Sequence, residues 1–238
     1  MQKQELLYSG KAKSLYKTAD DSLLVVEFRD DTTAFDGEKH ATLSNKGKVN
    51  AAISHHLMQI LQKEGVTTHF VEKINATEAI VKNLKMLPIE CVVRNIAAGS
   101  LCRRLGVQSG LTLTPPLFEF FLKNDELHDP MINRDHAMSF GWATPEQLDE
   151  MRRLSLTIND ILRSTFSDAG LILVDAKYEF GISNGEVVLG DEISPDSCRL
   201  WDALTKESLD KDRFRQDLGG VMDSYQEVAM RLGIEQEA

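Results

Sequence analysis

The sequence predicts an α+β chain built on a largely antiparallel sheet. Three observations carry that expectation. Strand-like runs follow one another with only a few helical patterns between them, where strict alternation would argue for a parallel sheet. The chain shows no internal repeat, low-complexity tract or Gly/Ser-rich linker. With 238 residues it can form one large domain or two small ones, and a soft boundary falls near Leu87-Pro88.

The first stretch reads as strands. Residues 5–8 and 14–17 flank a short corner at Ser9-Gly10-Lys11, and Leu24, Val26 and Phe28 alternate within 22–29. A helix fits 48–63, where Val49, Ile53, Leu57, Ile60 and Leu61 keep the 3.6 period and Gly65 follows as a stop. Residues 69–74 and 79–84 are strand-like, and a second region opens with the apolar run 89–93. Pro115-Pro116 is expected to break the chain. The best-marked helix starts at Thr144-Pro145-Glu146-Gln147, where threonine caps, proline suits the first turn and glutamine completes a capping box. Its buried stripe is Leu148, Met151, Leu154, Ile158, Ile161 and Leu162. Residues 171–182 and 187–193 read as a hairpin, and a last helix over 210–232 is open to interruption at Gly219-Gly220.

Composition narrows the function. Lysine and arginine number 27 against 37 acidic residues, a net charge of −10, so neither a nucleic-acid nor an anionic-membrane partner is expected. No apolar run approaches the ~18 residues that span a bilayer. The first five residues lack an apolar signal core, which points to a cytoplasmic protein. Three widely spaced cysteines, Cys91, Cys102 and Cys198, argue against a disulfide framework or a structural zinc site. Cys91 and Cys102 read as buried small hydrophobes. Adjacent His55 and His56 cannot converge on one metal from a single helix, and read as surface or packing side chains.

Three segments could carry chemistry. In 171–181, Ile172, Val174, Ala176, Tyr178 and Phe180 form one apolar strand face, and Asp175, Lys177 and Glu179 stand in a row on the other. Such rows are usually solvated. Here Asp191-Glu192 on the adjoining strand could meet the row, and carboxylates that converge repel unless a cation lies between them. Oxygen-only ligands suit Mg²⁺ held together with phosphates. A two-residue turn at Asn184-Gly185 would set Asp191 opposite Tyr178 on the wrong face, so a shared metal requires an odd loop that pairs Glu179 with Asp191. The second segment, Ser9-Gly10-Lys11-Ala12-Lys13, is no Walker loop, although a glycine corner lets backbone amides approach phosphates. Taken alone, it is better explained as a hairpin with two surface lysines. In the third, Arg94 precedes Gly99-Ser100 at the start of a short helix over 101–105. A phosphate site and a plain strand-to-helix turn with a capping serine fit it equally.

Together these segments resemble one family, the succinocarboxamide synthetases of purine biosynthesis. The resemblance covers nearly the whole chain. MLPIECVVRNIAAGS at 86–100 and LVDAKYEFG at 173–181 are its long motifs, supported by YSGKAK at 8–13, DDTTAFDG at 30–37, KND at 123–125, DPMIN at 129–133 and GDEISPD at 190–196. It implies an ATP-dependent ligase that joins L-aspartate to a carboxyaminoimidazole ribotide through an acyl phosphate. The implied fold is a small, mainly antiparallel N-terminal domain (1–88) over a larger α+β domain (89–238), with ATP in the cleft between them. A homo-oligomer, commonly a dimer, is implied as well.

By the same resemblance, Gly10, Lys11, Ala12, Lys13, Lys82, Met86 and Lys123 lie on the ATP side. Glu179 and Asp191 hold Mg²⁺, with Asp175 and Lys177 beside them as catalytic residues. Asp36, Glu90, Arg94, Ser100, Arg199 and Arg215 contact the other substrates. Cys198 stands where a serine is expected before Arg199 and receives no role. Two other classes remain to be separated. A small-molecule kinase would stop at phosphoryl transfer, and a nucleotide-binding regulatory module would have no use for the full charged row.

Overall fold

Strands form where the period-two runs mark them. The computed structural model describes residues 2–34 and 38–235. Leu6–Ser9 (β1), Lys13–Lys17 (β2) and Leu23–Phe28 (β3) succeed one another antiparallel. Asp31–Ala34 (β4) and Lys39–Thr42 (β5) make a separate ribbon. After the helix Lys46–Lys63 (α1), Phe70–Lys73 (β6) and Glu78–Lys82 (β7) return to the first sheet, whose order is β1-β2-β3-β7-β6. Leu24, Val26 and Phe28 point into the core, where Val49, Ile53, Leu57 and Leu61 of α1 meet them. Two local features fix that approach. A Cβ on Gly47 would stand 2.5 Å from the Phe28 carbonyl oxygen, so only glycine fits. Asp30 accepts hydrogen bonds from the backbone N–H groups of Asn45 (3.1 Å) and Gly47 (2.9 Å) at the start of the helix.

The second half opens with Lys85–Ile96 (β8), which runs unbroken through Leu87-Pro88, and continues with Gly99–Leu105 (α2), Thr112–Leu122 (β9), Met131–Ile132 (β10) and Arg134–Ser139 (α3). Pro145–Asp168 (α4) starts with the expected capping box: the Gln147 N–H donates to Thr144 Oγ1 at 3.2 Å, and the Thr144 N–H donates to Gln147 Oε1 at 2.9 Å. Leu171–Ser183 (β11), Glu186–Gly190 (β12) and Cys198–Asp202 (β13) follow. The last helical stretch is divided across residues 216–220, which include Gly219-Gly220, into Asp212–Arg215 (α5) and Val221–Arg231 (α6). Among the described residues the second sheet has the order β10-β9-β8-β11-β12, with β13 beside the first half of β11, and all its strand pairs are antiparallel. One apolar cluster runs through both sheets and the helices packed on them.

Three sequence expectations change here. Pro115-Pro116 breaks nothing: it lies inside β9, where the register against β8 slips between Arg94 and Ile96, so the missing N–H groups fall in an irregular stretch. The apolar face expected along 172–180 switches sides part-way. A bulge between Leu173 and Asp175 puts Leu171 and Leu173 into the core ahead of the bulge, and Ala176, Tyr178 and Phe180 after it. The charged row on the opposite face is also not solvated, because Asp175 and Glu179 are buried.

His55 is a packing side chain, one of the two readings the sequence left open. It lies between Phe28 (5.7 Å between ring centroids) and Phe70 (5.0 Å), and neither ring nitrogen has a hydrogen-bond partner. Burial lowers its pKa from 6.5 to about 4. The unfolded chain therefore takes up a proton there between pH ~6.5 and ~4 while the folded chain does not. Stability contributed by the neutral ring is full above that window and falls through it as the pH drops. Urea unfolding at stepped pH is expected to show this acid loss, and His55→Leu is expected to reduce it, with buried His69, its pKa also lowered to about 4, contributing part of the remainder. An unchanged slope in the variant would show that His55 does not cause the loss.

Candidate active site

Register along β11 decides which side chains share its buried polar face. Asp175 lies opposite Arg94 of β8, Lys177 opposite Val92, and Glu179 opposite Glu90. Arg94 is almost fully buried and donates from Nε to Glu119 Oε2 (2.6 Å), from Nη1 to Asp175 Oδ2 (2.8 Å) and from Nη2 to Ser100 Oγ (3.2 Å). The same Asp175 oxygen accepts from Arg199 Nη1 at 2.7 Å. Arg199 Nε reaches Asp212 Oδ2 (2.8 Å), and Arg215 Nη1 reaches Asp212 Oδ1 (2.6 Å). At the other end, Arg104 Nη2 donates to Glu119 Oε1 at 2.5 Å. Arginines and carboxylates thus alternate from Arg104 to Arg215, with one more cation than anions. The surplus suits an anionic ligand.

Ser100 does not cap α2, as one reading of the sequence had it: Ala98 occupies the cap position, and Ser100 turns its hydroxyl to Arg94. Gly99 has φ +55°, and a Cβ there would stand 2.4 Å from Arg199 Nη2. Glycine is what admits the guanidinium.

A second cluster lies farther along β11. Lys177 Nζ pairs with Glu179, with Glu90 Oε1 (3.4 Å) and with Asp191 Oδ2 (3.4 Å). Lys13 reaches over from the first sheet to Asp191 and to Glu192 Oε1 (2.9 Å), and Lys123 pairs with Glu179. The lysines hold the Asp191 carboxyl well below its ordinary range against the opposing effect of burial. Burial raises the Glu90 carboxyl.

The hairpin that delivers Asp191 is not the one expected. Asn184 (φ 51°) and Gly185 (φ 83°) make an even, two-residue turn, Ser183 faces Glu186, and Glu179 faces Gly190 instead of Asp191. Asp191 still misses the core beside Tyr178. It lies past the end of β12 with φ +57°, and this left-handed residue ends the strand alternation and turns the carboxylate toward the lysines. An even loop is therefore compatible with a meeting of Glu179 and Asp191.

Other expected site residues are spread out. Gly10 N–H donates to Lys13 O at 2.8 Å and closes the loop that contains Ala12. Lys11 leaves the Lys13 cluster and pairs with exposed Asp125 at 2.8 Å. Met86 lies over Gly181 and Gly190, where a Cβ would come 3.0 Å from its sulfur and 3.3 Å from its methyl carbon, respectively. Lys82 lines a separate groove with Ser22, Val71, Asn184 and Glu186. Asp36 lies outside the described residues. Cys91 and Cys198 are buried, and burial pushes both thiols up; Cys102, expected to be buried, is only half so.

With this geometry in view, comparison with known proteins is decisive. The model of the SAICAR synthetase family matches residues 6–232. The chain belongs to the SAICAR synthetase family. It is 64% identical to the phosphoribosylaminoimidazole-succinocarboxamide synthase of Coxiella burnetii, over 98% of this chain and 97% of that protein. Its identity to the Hahella chejuensis synthase is 60%, over 99% and 100%. Among solved structures, the Ehrlichia chaffeensis synthase superposes with a TM-score of 0.95 at 43% identity, covering 98% of this chain and all of that one. A SAICAR synthetase solved in complex with ADP superposes at 0.94 with 46% identity over the same shares.

Several members of the two clusters escaped the sequence reading. Glu119 and Asp212 sit in ordinary-looking stretches, although the position of Glu119 on the same face as Arg94 follows from strand alternation once the β8–β9 register is known. Lys46, also missed, is buried and pairs with Asp196 at 2.6 Å, and Tyr225 donates to the same carboxylate at 2.6 Å. Gly99 generates a prediction. Gly99→Ala is expected to push Arg199 off Asp175 and to lower kcat/KM at least about tenfold, the scale of a lost charged hydrogen bond, together with a lowered Tm, because alanine is strained at φ +55° and buried Asp175 loses a partner. Steady-state kinetics beside thermal melts would check it, and wild-type kcat/KM would disprove the contact's importance.

Proposed function

We infer that the chain catalyses the reaction for which its family is named. It is an ATP-dependent carbon–nitrogen ligase. It joins L-aspartate to 5-amino-1-(5-phospho-D-ribosyl)imidazole-4-carboxylate and releases the succinocarboxamide ribotide, ADP and phosphate in de novo purine biosynthesis. The observation that carries this reading is identity of 64% and 60% to named synthases across nearly the full chain. The relative solved with ADP supports nucleotide use.

A carboxylate does not react with an amine at neutral pH, so its oxygen first takes the γ-phosphoryl group of ATP and ADP leaves. The aspartate nitrogen then attacks the acyl carbon, phosphate departs with the C–O bond electrons, and the amine gives up a proton. Holding the reactants together supplies the entropic part of the rate. Arg94, Ser100, Arg199 and Arg215 bind the ribotide phosphate, and the surplus positive charge of their chain supports that role. Asp175 positions two of those arginines. Lys13 and Lys123 bind ATP phosphates, Lys11 lies at the rim, and the Gly10–Ala12 backbone faces them. Met86, over Gly181 and Gly190, is assigned to the ATP side; Lys82, in its separate groove, is the less supported member of that set. Lys177 and Glu90 orient the reacting carboxylate, and Asp36 is assigned to the aspartate side.

Glu179 and Asp191 fit a magnesium ion. Both carboxylates lie against one ammonium group, and among the described residues no group of three potential side-chain ligands forms a closed metal site. Phosphate oxygens and water would complete an oxygen-only shell. When bound, the ion neutralises charge on the phosphates.

Residues 1–88 act as the nucleotide-covering domain above 89–238. The first sheet ends at Lys82 and β8 of the second sheet starts at Lys85, so the change of sheet supports two units but falls a few residues before 88; Lys13 bridges it to Asp191. The enzyme works in the cytoplasm as a homo-oligomer, with a dimer favoured. No helix among the described residues is long and apolar enough to cross a membrane.

ADP release is expected only when ATP, aspartate and the ribotide are all present. Omitting each in turn tests this, and unchanged release without aspartate would move the assignment to a kinase. Glu179→Gln and Asp191→Asn are each expected to cut kcat by about 100-fold or more, as loss of a key electrostatic contact does. Both carboxylates are paired with lysines, so each change is also expected to lower stability by about 1–3 kcal/mol. Exposed Glu186→Gln is the comparison and should leave both quantities alone. Turnover and urea midpoints report the outcome, and normal turnover in either site variant would remove that residue from the metal site.

A further inference from the structure

Arg29 stands one residue beyond β3, outside the motifs that carry the chemistry, yet its guanidinium gathers the whole glycine loop. Nη2 donates to Gly10 O at 2.6 Å. Nη1 is shared among Lys13 O (2.9 Å), Ser9 Oγ (2.9 Å) and Ser14 Oγ (2.5 Å). The Arg29 backbone N–H donates to Ala12 O at 2.8 Å. Asp31 Oδ2 accepts from Nε at 2.8 Å and keeps the guanidinium in place. The next residue, Asp30, is tied to the start of α1, and the Asp31 carbonyl accepts from Lys46 Nζ at 3.1 Å. Arg29 is therefore a fixed post, and the loop is gathered onto it.

The carbonyl oxygens of Gly10, Ala12 and Lys13 are all taken up, on Arg29 or its backbone. That matters for a loop meant to meet phosphates. A peptide carbonyl facing a phosphate repels it, whereas an N–H attracts it, and a loop becomes an anion-binding concavity only when its carbonyls point elsewhere. We propose that Arg29 is a positioning residue for the nucleotide. It holds the 9–14 loop with the Gly10, Ala12 and Lys13 carbonyls engaged, so that Lys13 and the loop amides beyond Gly10, whose own N–H closes the loop on Lys13 O, are presented to the phosphates. This inference rests on the reading of that loop as the ATP loop. It adds a residue that acts through the loop and touches no reacting atom. An ammonium group cannot replace the guanidinium, because a single nitrogen cannot reach acceptors on both limbs of the loop and Asp31 together.

The test measures ADP affinity by calorimetry and the KM values for ATP and aspartate. Arg29→Lys and Arg29→Gln are each expected to weaken ADP binding and raise the KM for ATP by about tenfold or more, the scale of losing charged hydrogen bonds. The KM for aspartate should stay within about twofold. Asp31→Asn, which loosens the guanidinium and also weakens the exposed contact with His40, is expected to give a smaller rise in the same constants and serves if the Arg29 variants fail to fold. Methylguanidine added to Arg29→Ala should restore part of the ADP affinity, which a purely structural role would not produce. The core variant Leu57→Val, with a lowered Tm, should leave nucleotide affinity unchanged. Unchanged ADP affinity in folded Arg29 variants, or equal rises in both KM values, would overturn the proposal. Lys13→Ala separates the two levels. If it too leaves ADP binding unaffected, the ATP-loop reading fails; if it weakens binding while the Arg29 variants do not, only the role of Arg29 fails.

Discussion

The pair of Arg94 with Asp175 is the constraint around which the rest of the site is arranged. Both groups are buried, with 3% and 5% of their surfaces exposed, and an ion pair so placed must be matched by further partners to offset the loss of water. Those partners are present on both sides. Glu119 and Ser100 complete Arg94, while Arg199 completes Asp175 and is itself held by Asp212. Arg94 keeps Glu119 and Asp175 keeps Arg199 when the other is removed, so the cost falls below the ~3–5 kcal/mol of a buried charge left unpaired. The arrangement therefore behaves as a unit. It ties β8, β9, β11, β13 and α5 to one geometry before any ligand arrives.

β11 carries the second cluster on the same face, so the spacing of the two is set by backbone rise alone. Asp175 and Glu179 are four residues apart, roughly 13 Å at the usual strand rise. Lys177 lies midway. On the proposed reading, the ribotide phosphate and the ATP phosphates are thereby kept at a fixed separation, with the carboxylate to be activated between them. A protein with net charge −10 can gather anionic substrates only if its cations are local; the arginine chain has one cation in excess, whereas Lys13, Lys123 and Lys177 face four carboxylates and would need a divalent cation to favour phosphates. The lysines already meet carboxylates at Glu179, Asp191 and Glu192, and phosphate oxygens are chemically equivalent partners for the same ammonium groups.

Elements with local causes were legible in the sequence. The Thr144 capping box, the α1 stripe and the Leu24–Val26–Phe28 alternation each depend on neighbours a few residues away, and all three appear as read. Parity arguments did less well, because one residue off the regular period changes the answer for all that follow. The bulge at 173–175 moved the apolar face of β11, and the left-handed Asp191 rescued a meeting that the even turn would otherwise forbid. Neither has a clear local signature, since Val174 and Asp191 are not glycine. Contacts such as Arg199 with Asp175, or Lys13 with Asp191, join residues far apart in the chain, and only the motifs hinted at them.

Glycines mark the places where long-range contacts leave a trace in the sequence after all. At Gly47 the backbone of β3 occupies the space a Cβ would need, and at Gly99 the Arg199 side chain occupies it; at Gly181 the Leu84 and Met86 side chains crowd in. In each case a residue with no side chain records the close approach of something distant. Gly99 records a charged group, so its requirement reports on the site and not only on packing. The remaining ordering comes from side chains like Arg29, whose partners include the main-chain carbonyls of Gly10 and Lys13. Such a residue reads as an ordinary surface arginine until the path of the loop beside it is known. Carbonyl direction is a property of the folded backbone, and it is there, more than in the identity of the loop residues, that the difference between a plain hairpin and an anion-binding loop resides.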